Sequence, residues 1–478
     1  MKYFLKIAAI IISGLCWYFS FDLSGDYWYL LWLAPIPVLL VSFRSSAGQC
    51  FLVAFIAYLI GRLSWLPYLL TVLPVILAIF FTVLFPLIFG LLIVLTRKIV
   101  LKMQNGWSAF AFPVLFSLFE YLLIKFSPDG TAGSIAYTQS NFLSIIQVAS
   151  VTGILGITFL VSLFPSAVAI YYHFKKWSLS LSFGFLLIFI SLLLGAVRMN
   201  SKALDKPGIT VGLAALDEKF HSETNHPKTE DEMRTANLYA DEIATLAQQG
   251  AQVAVLPEKA VNVTADHGDS IKSIFIQAAT NSHITVIAGY TQFINDSVKL
   301  NKAFVISPQG KLLSDYQKVN LFEGEIRNAF IPGKEIASFN LNNIISGLAI
   351  CKDLDYQGFI RKYDKNKIQV LYVPAWDFIK DGWLHSRMAV LRGVENGYAI
   401  IRTARQGQLT VSDYRGKVLY ESSTTNNKAS TLIAKIPLHT TKTIYSRFGD
   451  WFGYLNVIAA ACFILFVIGN KRKINLSK

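Results

Sequence analysis

Apolar and polar positions are distributed unevenly along this chain. Long apolar runs fill residues 3 to 197 and return at 453 to 469, whereas the stretch between them has ordinary globular patterning. A membrane-spanning helix needs about 20 mainly apolar residues. Runs of that kind predict helices near 3–20, 28–43, 50–70, 75–96, 107–127, 151–172 and 179–197, with an eighth at 453–470. The first run reads as a span rather than a cleaved leader, because no small-residue cleavage site separates it from the next. Between the apolar regions the period changes. Short β-rich runs at 209–214, 252–256, 284–288, 303–307, 312–316, 347–351, 369–373, 398–403, 409–412, 418–421 and 431–436 alternate with helical patterns at 230–249, 269–281 and 382–396. The residues Asp413-Tyr414-Arg415-Gly416 are a hairpin-turn signal. This alternation predicts a layered α/β domain. The expected organisation is a helical membrane bundle over 1–200, a catalytic-sized domain over 208–440, and a final membrane helix with a basic tail over 450–478.

Composition sharpens that picture. The 478 residues are 53% hydrophobic, with a mean hydropathy of +0.45, too apolar for an ordinary soluble protein. The formal charge of +14 would suggest a nucleic-acid partner if it formed a face. It does not. Residues 208–440 hold 25 Lys+Arg against 24 Asp+Glu, and the remainder holds 19 against 6. The excess therefore flanks the apolar runs, and no nucleic-acid partner is expected.

The short loops alternate in charge. Lys2 and Lys6, Arg44, the group Arg97, Lys98 and Lys102, the pair Lys175 and Lys176, and Lys471, Arg472 and Lys473 fall on one side, while Asp22, Asp26 and Asp129 fall on the other. The positive-inside rule then puts both termini in the cytoplasm and the large polar domain outside. Glu120 lies inside the fifth span. An intramembrane carboxylate normally faces the bundle interior, where it either pairs with a neighbour such as Lys125 or grips a substrate arriving through the bilayer.

Four cysteines occur, three of them in apolar runs; Cys351 alone belongs to the polar domain, which excludes a disulfide framework there. Three positions following expected strands attract chemistry: Glu258, Lys318 and Cys351. Only thiolate is strongly nucleophilic, so a thiol needs help to attack a carbonyl. A carboxylate can take its proton, and an ammonium can lower the thiol pKa and neutralise the oxyanion that forms. From spacing alone, a Cys packed in a core with two unrelated surface charges fits equally well.

The surrounding residues resemble the nitrilase, or carbon–nitrogen hydrolase, superfamily. Leu256-Pro257-Glu258, Tyr316-Gln317-Lys318 with Gly324-Glu325, and Leu348-Ala349-Ile350-Cys351-Lys352-Asp353 carry the resemblance. Within that superfamily the chain resembles the apolipoprotein N-acyltransferases over nearly its whole length, through Leu33-Ala34-Pro35, residues 140–159, Ile331-Pro332-Gly333, and Trp376-Asp377 followed by Arg387, Arg392, Glu395 and Ile401-Arg402-Thr403. The resemblance implies an αββα sandwich beside the membrane bundle. It implies Glu258 as general base, Lys318 as electrostatic partner, Cys351 as nucleophile and the Lys352 backbone N–H as a second oxyanion donor. Glu325 and Asp353 become supporting carboxylates, and Trp376 and Glu120 candidate substrate contacts. The implied reaction moves an acyl chain from a membrane phospholipid to Cys351 as a thioester, then to the α-amino group of a diacylglyceryl lipoprotein. No cofactor or metal is implied, and the chain is expected to act as a monomer in the bacterial inner membrane with its catalytic domain on the periplasmic side.

The sequence departs from the family pattern at Lys352, Lys259, the shortened segment between Lys318 and Glu325, and Thr131-Ala132-Gly133-Ser134. These positions open an alternative: a membrane-tethered amidase or N-acyltransferase acting on another amine. Two further readings carry less. His385 would be the partner of a papain-like Cys351, and a non-enzymatic membrane protein would have no use for the intact Glu, Lys and Cys set. Metal-binding His/Cys spacing and Gly-rich phosphate loops are missing from the sequence.

Overall fold

The computed structural model describes residues 2–201, 208–221, 227–295, 297–426 and 428–470. The basic tail Lys471, Arg472 and Lys473, Lys202, and the side chain of Lys2 lie outside the described residues. The chain divides into two compact units, Met1–Ser201 with Phe448–Lys478, and Lys202–Arg447.

Among the described residues of the first unit, six helices are long and apolar enough to cross a membrane: Tyr3–Ser20, Val75–Met103, Gly106–Phe126, Ile154–Phe174, Leu179–Asn200 and Trp451–Gly469. A seventh candidate is the pair Ala47–Arg62 and Leu66–Val72, bent by 62°. The expected helix at 28–43 is instead a short broken segment, a 3₁₀ turn at Trp28–Trp32 followed by a helix at Pro35–Ser42. Pro35 and Pro37 explain the break, since proline is tolerated in a first helical turn but not in a continuous ladder.

That short segment still carries the chain back across the bundle. Lys6 donates to Gln49 at one end of the helices Lys2–Ser20 and Ala47–Arg62, and Trp65 Nε1 donates to the Phe21 carbonyl at the other. The two helices are therefore parallel, and residues 21–46 must return between them. The same contacts sort the charged loops. Arg97 Nε donates to the Ser42 and Ser45 carbonyls, Lys102 donates to the Val467 and Asn470 carbonyls, and Phe43 packs against His173. The basic loops thus gather at one end, and Asp22 and Lys125–Asp450 mark the opposite one.

The second unit contains two sheets. β1 (Gly208–Ala215), β2 (Val253–Val255), β3 (Val261–Val263), β4 (Thr285–Asn295), β5 (Val298–Ile306) and β6 (Leu312–Gln317) belong to the first. β7 (Ala337–Leu341), β8 (Ile344–Leu348), β9 (Val370–Trp376), β10 (Ala399–Arg405), β11 (Gln408–Ser412) and β12 (Val418–Ser423) form the second, and β13 (Ser430–Pro437) returns to pair antiparallel with β1. β3 and β7 lie at stretches where the sequence predicts no strand. β11 and β12 form the expected hairpin, with Gly416 at φ +77° in its turn.

Side-chain alternation builds the layers. Ile209, Val211, Leu213 and Ala215 of β1 enter the core between the sheets together with Val370 and Tyr372 of β9. Ala214 faces the helices Thr229–Gln248 and Gly268–Asn281, while Leu371 and Val373 face the opposite side toward Ala389 of the helix Gly382–Asn396. Strands covered on both faces read as continuous apolar runs, and the result is an αββα sandwich. β1, β2 and β4 are parallel, as are β8, β9 and β10. The carboxyl ends of parallel strands are where such sheets place functional loops.

Candidate active site

Three loops bring Glu258, Lys318 and Cys351 toward one place. Glu258 follows β2 and its backbone N–H donates to the Ala375 carbonyl of β9 at 3.3 Å, which ties the two sheets together here. Lys318 follows β6, its N–H held by the Asn301 carbonyl of β5 at 2.9 Å. The strand before the cysteine stops at Leu348, so Cys351 does not end it as the sequence predicts; it opens a 3₁₀ turn at Cys351–Asp355. Cys351 has φ +42° and Lys259, beside the acid, φ +51°. Left-handed backbone is costly for residues with a Cβ, by about 1–3 kcal/mol each, and persists where surrounding structure enforces it, commonly at active sites.

The polar cluster is dense and almost sealed. Glu258 and Lys318 are each 2% exposed. Lys318 Nζ donates to Glu258 Oε1 at 2.8 Å and to Glu325 Oε2 at 2.8 Å. Asn301 Nδ2 donates to both acids, at 2.5 Å and 2.6 Å. Lys259 adds a second cation on Glu325 at 2.9 Å. Two carboxylates therefore face two ammonium groups, and buried charges are tolerated only when paired in this way.

The electrostatic consequences follow from that geometry. Burial works against the Lys318 charge, but Glu258, Glu325 and the neighbouring thiol more than offset it, so the ammonium is held well above its ordinary range. Burial likewise opposes the Glu325 carboxylate, and Lys318 with Lys259 overcomes it and holds that carboxyl well below its usual value. Burial, and after it the Glu258 carboxylate, pushes the Cys351 thiol well above its ordinary value, with Lys318 pulling the other way. Burial and the Glu258 charge thus both favour the protonated thiol over thiolate at this position.

The other candidate residues divide by what they touch. Asp353 is fully buried and accepts from the Tyr316 hydroxyl at 2.6 Å, the Ile350 N–H at 3.0 Å and the Asn320 N–H at 2.8 Å. It braces the cysteine turn against the Lys318 loop. Glu325 also caps its own short helix through the Phe322 N–H at 2.9 Å. The Lys352 ammonium lies 3.6 Å from Asp355 and 5.8 Å from the Phe322 ring centre, and its backbone follows the sulfur directly. The Trp376 carbonyl accepts from Cys351 Sγ at 3.5 Å, and its ring is flanked by Lys259 and Arg405.

Behind the sulfur, Arg402 clasps both oxygens of Asp377 at 2.8 Å and 2.5 Å. His385 lies between Asp377 at 3.8 Å and Asp381 at 3.3 Å. One donor atom each from Cys351, Asp377 and His385 falls within 4.8 Å of the others. The papain-like partner is therefore near the thiol, although the thiol proton is aimed at the Trp376 carbonyl.

Glu120 belongs to the other unit. It is 2% exposed and accepts from Ser134 Oγ at 2.9 Å, the Ile135 N–H at 2.7 Å and Thr158 Oγ1 at 2.5 Å. Lys125, the partner predicted from spacing, instead pairs with Asp450 at 2.5 Å. The Thr131–Ser134 departure is thereby explained in part, since Ser134 serves the acid and Thr131 accepts from the Tyr137 hydroxyl. Asn301 is the member of the cluster that sequence reasoning misses. An Asn within a β-rich run carries no positional signal of its own.

These features define a class before a family. Residues 210–445 match the family model described as carbon-nitrogen hydrolase, so the second unit is a carbon–nitrogen hydrolase domain with a cysteine at its centre. An amidase of the nitrilase superfamily from Nesterenkonia superposes with a TM-score of 0.45 at 18% identity, over 53% of this chain and 100% of that one. Residues 13–167 match the model described as apolipoprotein N-acyltransferase N-terminal domain. The apolipoprotein N-acyltransferase of Geobacter metallireducens is 23% identical over 94% of this chain and 93% of its own, and that of Aquifex aeolicus 22% identical over 86% and 94%. Over most of its length the chain is therefore similar to the apolipoprotein N-acyltransferases.

Proposed function

We propose that the protein transfers an acyl chain from a membrane phospholipid, through a thioester on Cys351, to the terminal amine of a diacylglyceryl lipoprotein. The observation that carries this reading is the buried Glu258–Lys318–Glu325 cluster at the cysteine turn, in a chain whose other unit is a bundle of apolar helices. Both substrates are lipids, which a soluble amide hydrolase would not need a bundle to meet. The alternative, an amidase or a transferase to another amine, has no observation in its favour beyond the departures at Lys352 and Thr131–Ser134.

Each step balances on the residues present. Sulfur attacks the ester carbonyl while Glu258 takes the thiol proton. The oxyanion that forms is neutralised by the Lys318 ammonium and the Lys352 backbone N–H. As the carbon–oxygen bond breaks, Glu258 returns the proton to the departing lysophospholipid oxygen, leaving a thioester. The acceptor amine then attacks the thioester carbonyl, Glu258 takes a proton from nitrogen, and the sulfur departs and is reprotonated, leaving an amide. Glu325 and Asn301 hold Lys318 and Glu258 in place, and Trp376 borders the sulfur on the substrate side.

The basic ends of the bundle helices lie in the cytoplasm by the positive-inside rule, in the inner membrane of a bacterium, with the catalytic domain over 208–440 on the periplasmic face between the bundle of 1–200 and the anchor of 450–478. The chain acts as a monomer without cofactor, metal or nucleic acid. The test is product formation by the purified full-length protein from a phospholipid and a synthetic diacylglyceryl-cysteine peptide. A mass gain of one acyl chain on the peptide amine is expected; acyl transfer to water or to simple amines alone would favour the alternative.

A further inference from the structure

The membrane unit contains a buried cation, Arg62, that has no salt-bridge partner among the described residues. Arg62 ends the helix Ala47–Arg62 at the 62° break before Leu66–Val72. It is 6% exposed. Its guanidinium stacks on the Trp65 ring at 4.7 Å and the Phe85 ring at 4.9 Å, and its Nε is buried with no hydrogen-bond partner. Two aromatic planes fix the orientation of the fork, and Trp65 is itself anchored by its bond to the Phe21 carbonyl at 2.7 Å.

Acids are scarce in this unit. Glu120 is occupied by Ser134, Ile135 and Thr158, Asp450 by Lys125, and Asp22 by Ser24 and Gly25. Among the described residues no salt bridge reaches Arg62. The buried Arg97 makes the contrast plain, because the Ser42 and Ser45 carbonyls accept from its Nε. A desolvated charge without a partner is strongly unfavourable, and an arginine within a membrane segment marks a functional site by default. Arg62 also lies at the acidic end of the bundle, where topology alone would disfavour a cation.

We infer that Arg62, framed by Trp65 and Phe85, is a binding site for the phosphodiester of a membrane phospholipid in the leaflet away from the basic loops. The planar fork matches phosphate geometry, and Arg–phosphate pairing is bidentate and charge-assisted. Aromatic rings on either side suit the interface between headgroup and acyl chains. The inference rests on the membrane reading of the bundle and is independent of the thioester chemistry, so the two fail separately.

The experiment uses the full-length Cys351→Ala protein in detergent micelles, which cannot turn a lipid over. Native mass spectrometry follows titration with phosphatidylglycerol, with diacylglycerol of the same chains, and with inorganic phosphate as competitor. Adding Arg62→Leu is expected to weaken phosphatidylglycerol binding by about tenfold or more and to leave diacylglycerol unchanged. Equal binding of phosphatidylglycerol to both proteins would overturn the site. Displacement of the lipid by millimolar inorganic phosphate would overturn the lipid assignment in favour of a free anion. Should Arg62→Leu fail to fold, Arg62→Lys carries the test: it keeps the charge and loses the fork, so phosphatidylglycerol affinity must fall while diacylglycerol affinity holds, and an unchanged lipid affinity would sink the proposal.

Discussion

At the residue scale the question is which group takes the proton from sulfur. Burial first, and then the negative charge of Glu258, push the Cys351 thiol up, with Lys318 pulling the other way, which favours proton removal in concert with attack. Glu258→Gln is expected to lower the rate of thioester formation by roughly 10²–10⁴. His385→Gln, close to the sulfur yet shared between two acids, should stay within about tenfold of the parent in the same stopped-time assay. The reverse ranking would make His385 the base. Glu325 supplies a pH test. Its carboxyl is held low in the folded protein by Lys318 and Lys259 against the effect of burial. The stabilisation is therefore complete above the ordinary carboxylate range and fades as pH falls through it toward the depressed folded value. Glu325→Gln should be destabilised by roughly 3 kcal/mol near neutrality, and the gap from the parent in urea melts should shrink on acidification. Glu258, Lys318 and Cys351 were legible in the sequence because each stands just beyond a β-rich run in a recognisable setting. Asn301 was not, because its function comes from a register that places it across from the loops. Nor was the choice of Asp450 by Lys125, which bridges 325 positions of sequence.

At the scale of elements, the site depends on how closely β4 approaches the Glu258 turn. A Cβ on Gly289 would lie 2.5 Å from the Pro257 carbonyl oxygen and 2.7 Å from Glu258 Cα. Gly289→Ala must displace that turn, and we expect activity to fall at least tenfold while lipid binding by the bundle is retained; an active variant would show that the turn tolerates movement. The brace at Asp353 makes a parallel case. Asp353→Asn keeps the size but weakens bonds from five donors, on Tyr316, Val319, Asn320 and Ile350, and should cost about 1–3 kcal/mol with a loss of rate larger than the loss of substrate affinity. Alternation along the buried strands made most of the sandwich readable. β3 escaped because Val261–Val263 is too short to show a period, whereas Ala337–Leu341 does alternate, with Ser338 and Asn340 on its open face, but over five residues only. The segment at 28–43 shows the complementary error, in which apolar length predicted a full span and the prolines shortened it.

For the whole molecule, charge placement carries the argument. Helix contacts gather Lys6, Arg44, Arg97 and Lys102 at one end of the bundle, so the positive-inside rule acts on a structural cluster and not merely on loop counts. A reporter enzyme inserted near residue 300 is expected to be active only in its periplasmic form, and cytoplasmic activity would invert the orientation. The same placement is why a formal charge of +14 forms no basic face on the cysteine unit, where residues 208–440 hold 25 Lys+Arg against 24 Asp+Glu. The most direct test of the whole account is the intact mass of the full-length protein after brief incubation with a phospholipid of defined chains. The account predicts an added mass of one acyl group, removed by neutral hydroxylamine and missing from Cys351→Ala; an unmodified wild-type protein, or the same adduct on the alanine variant, would contradict it.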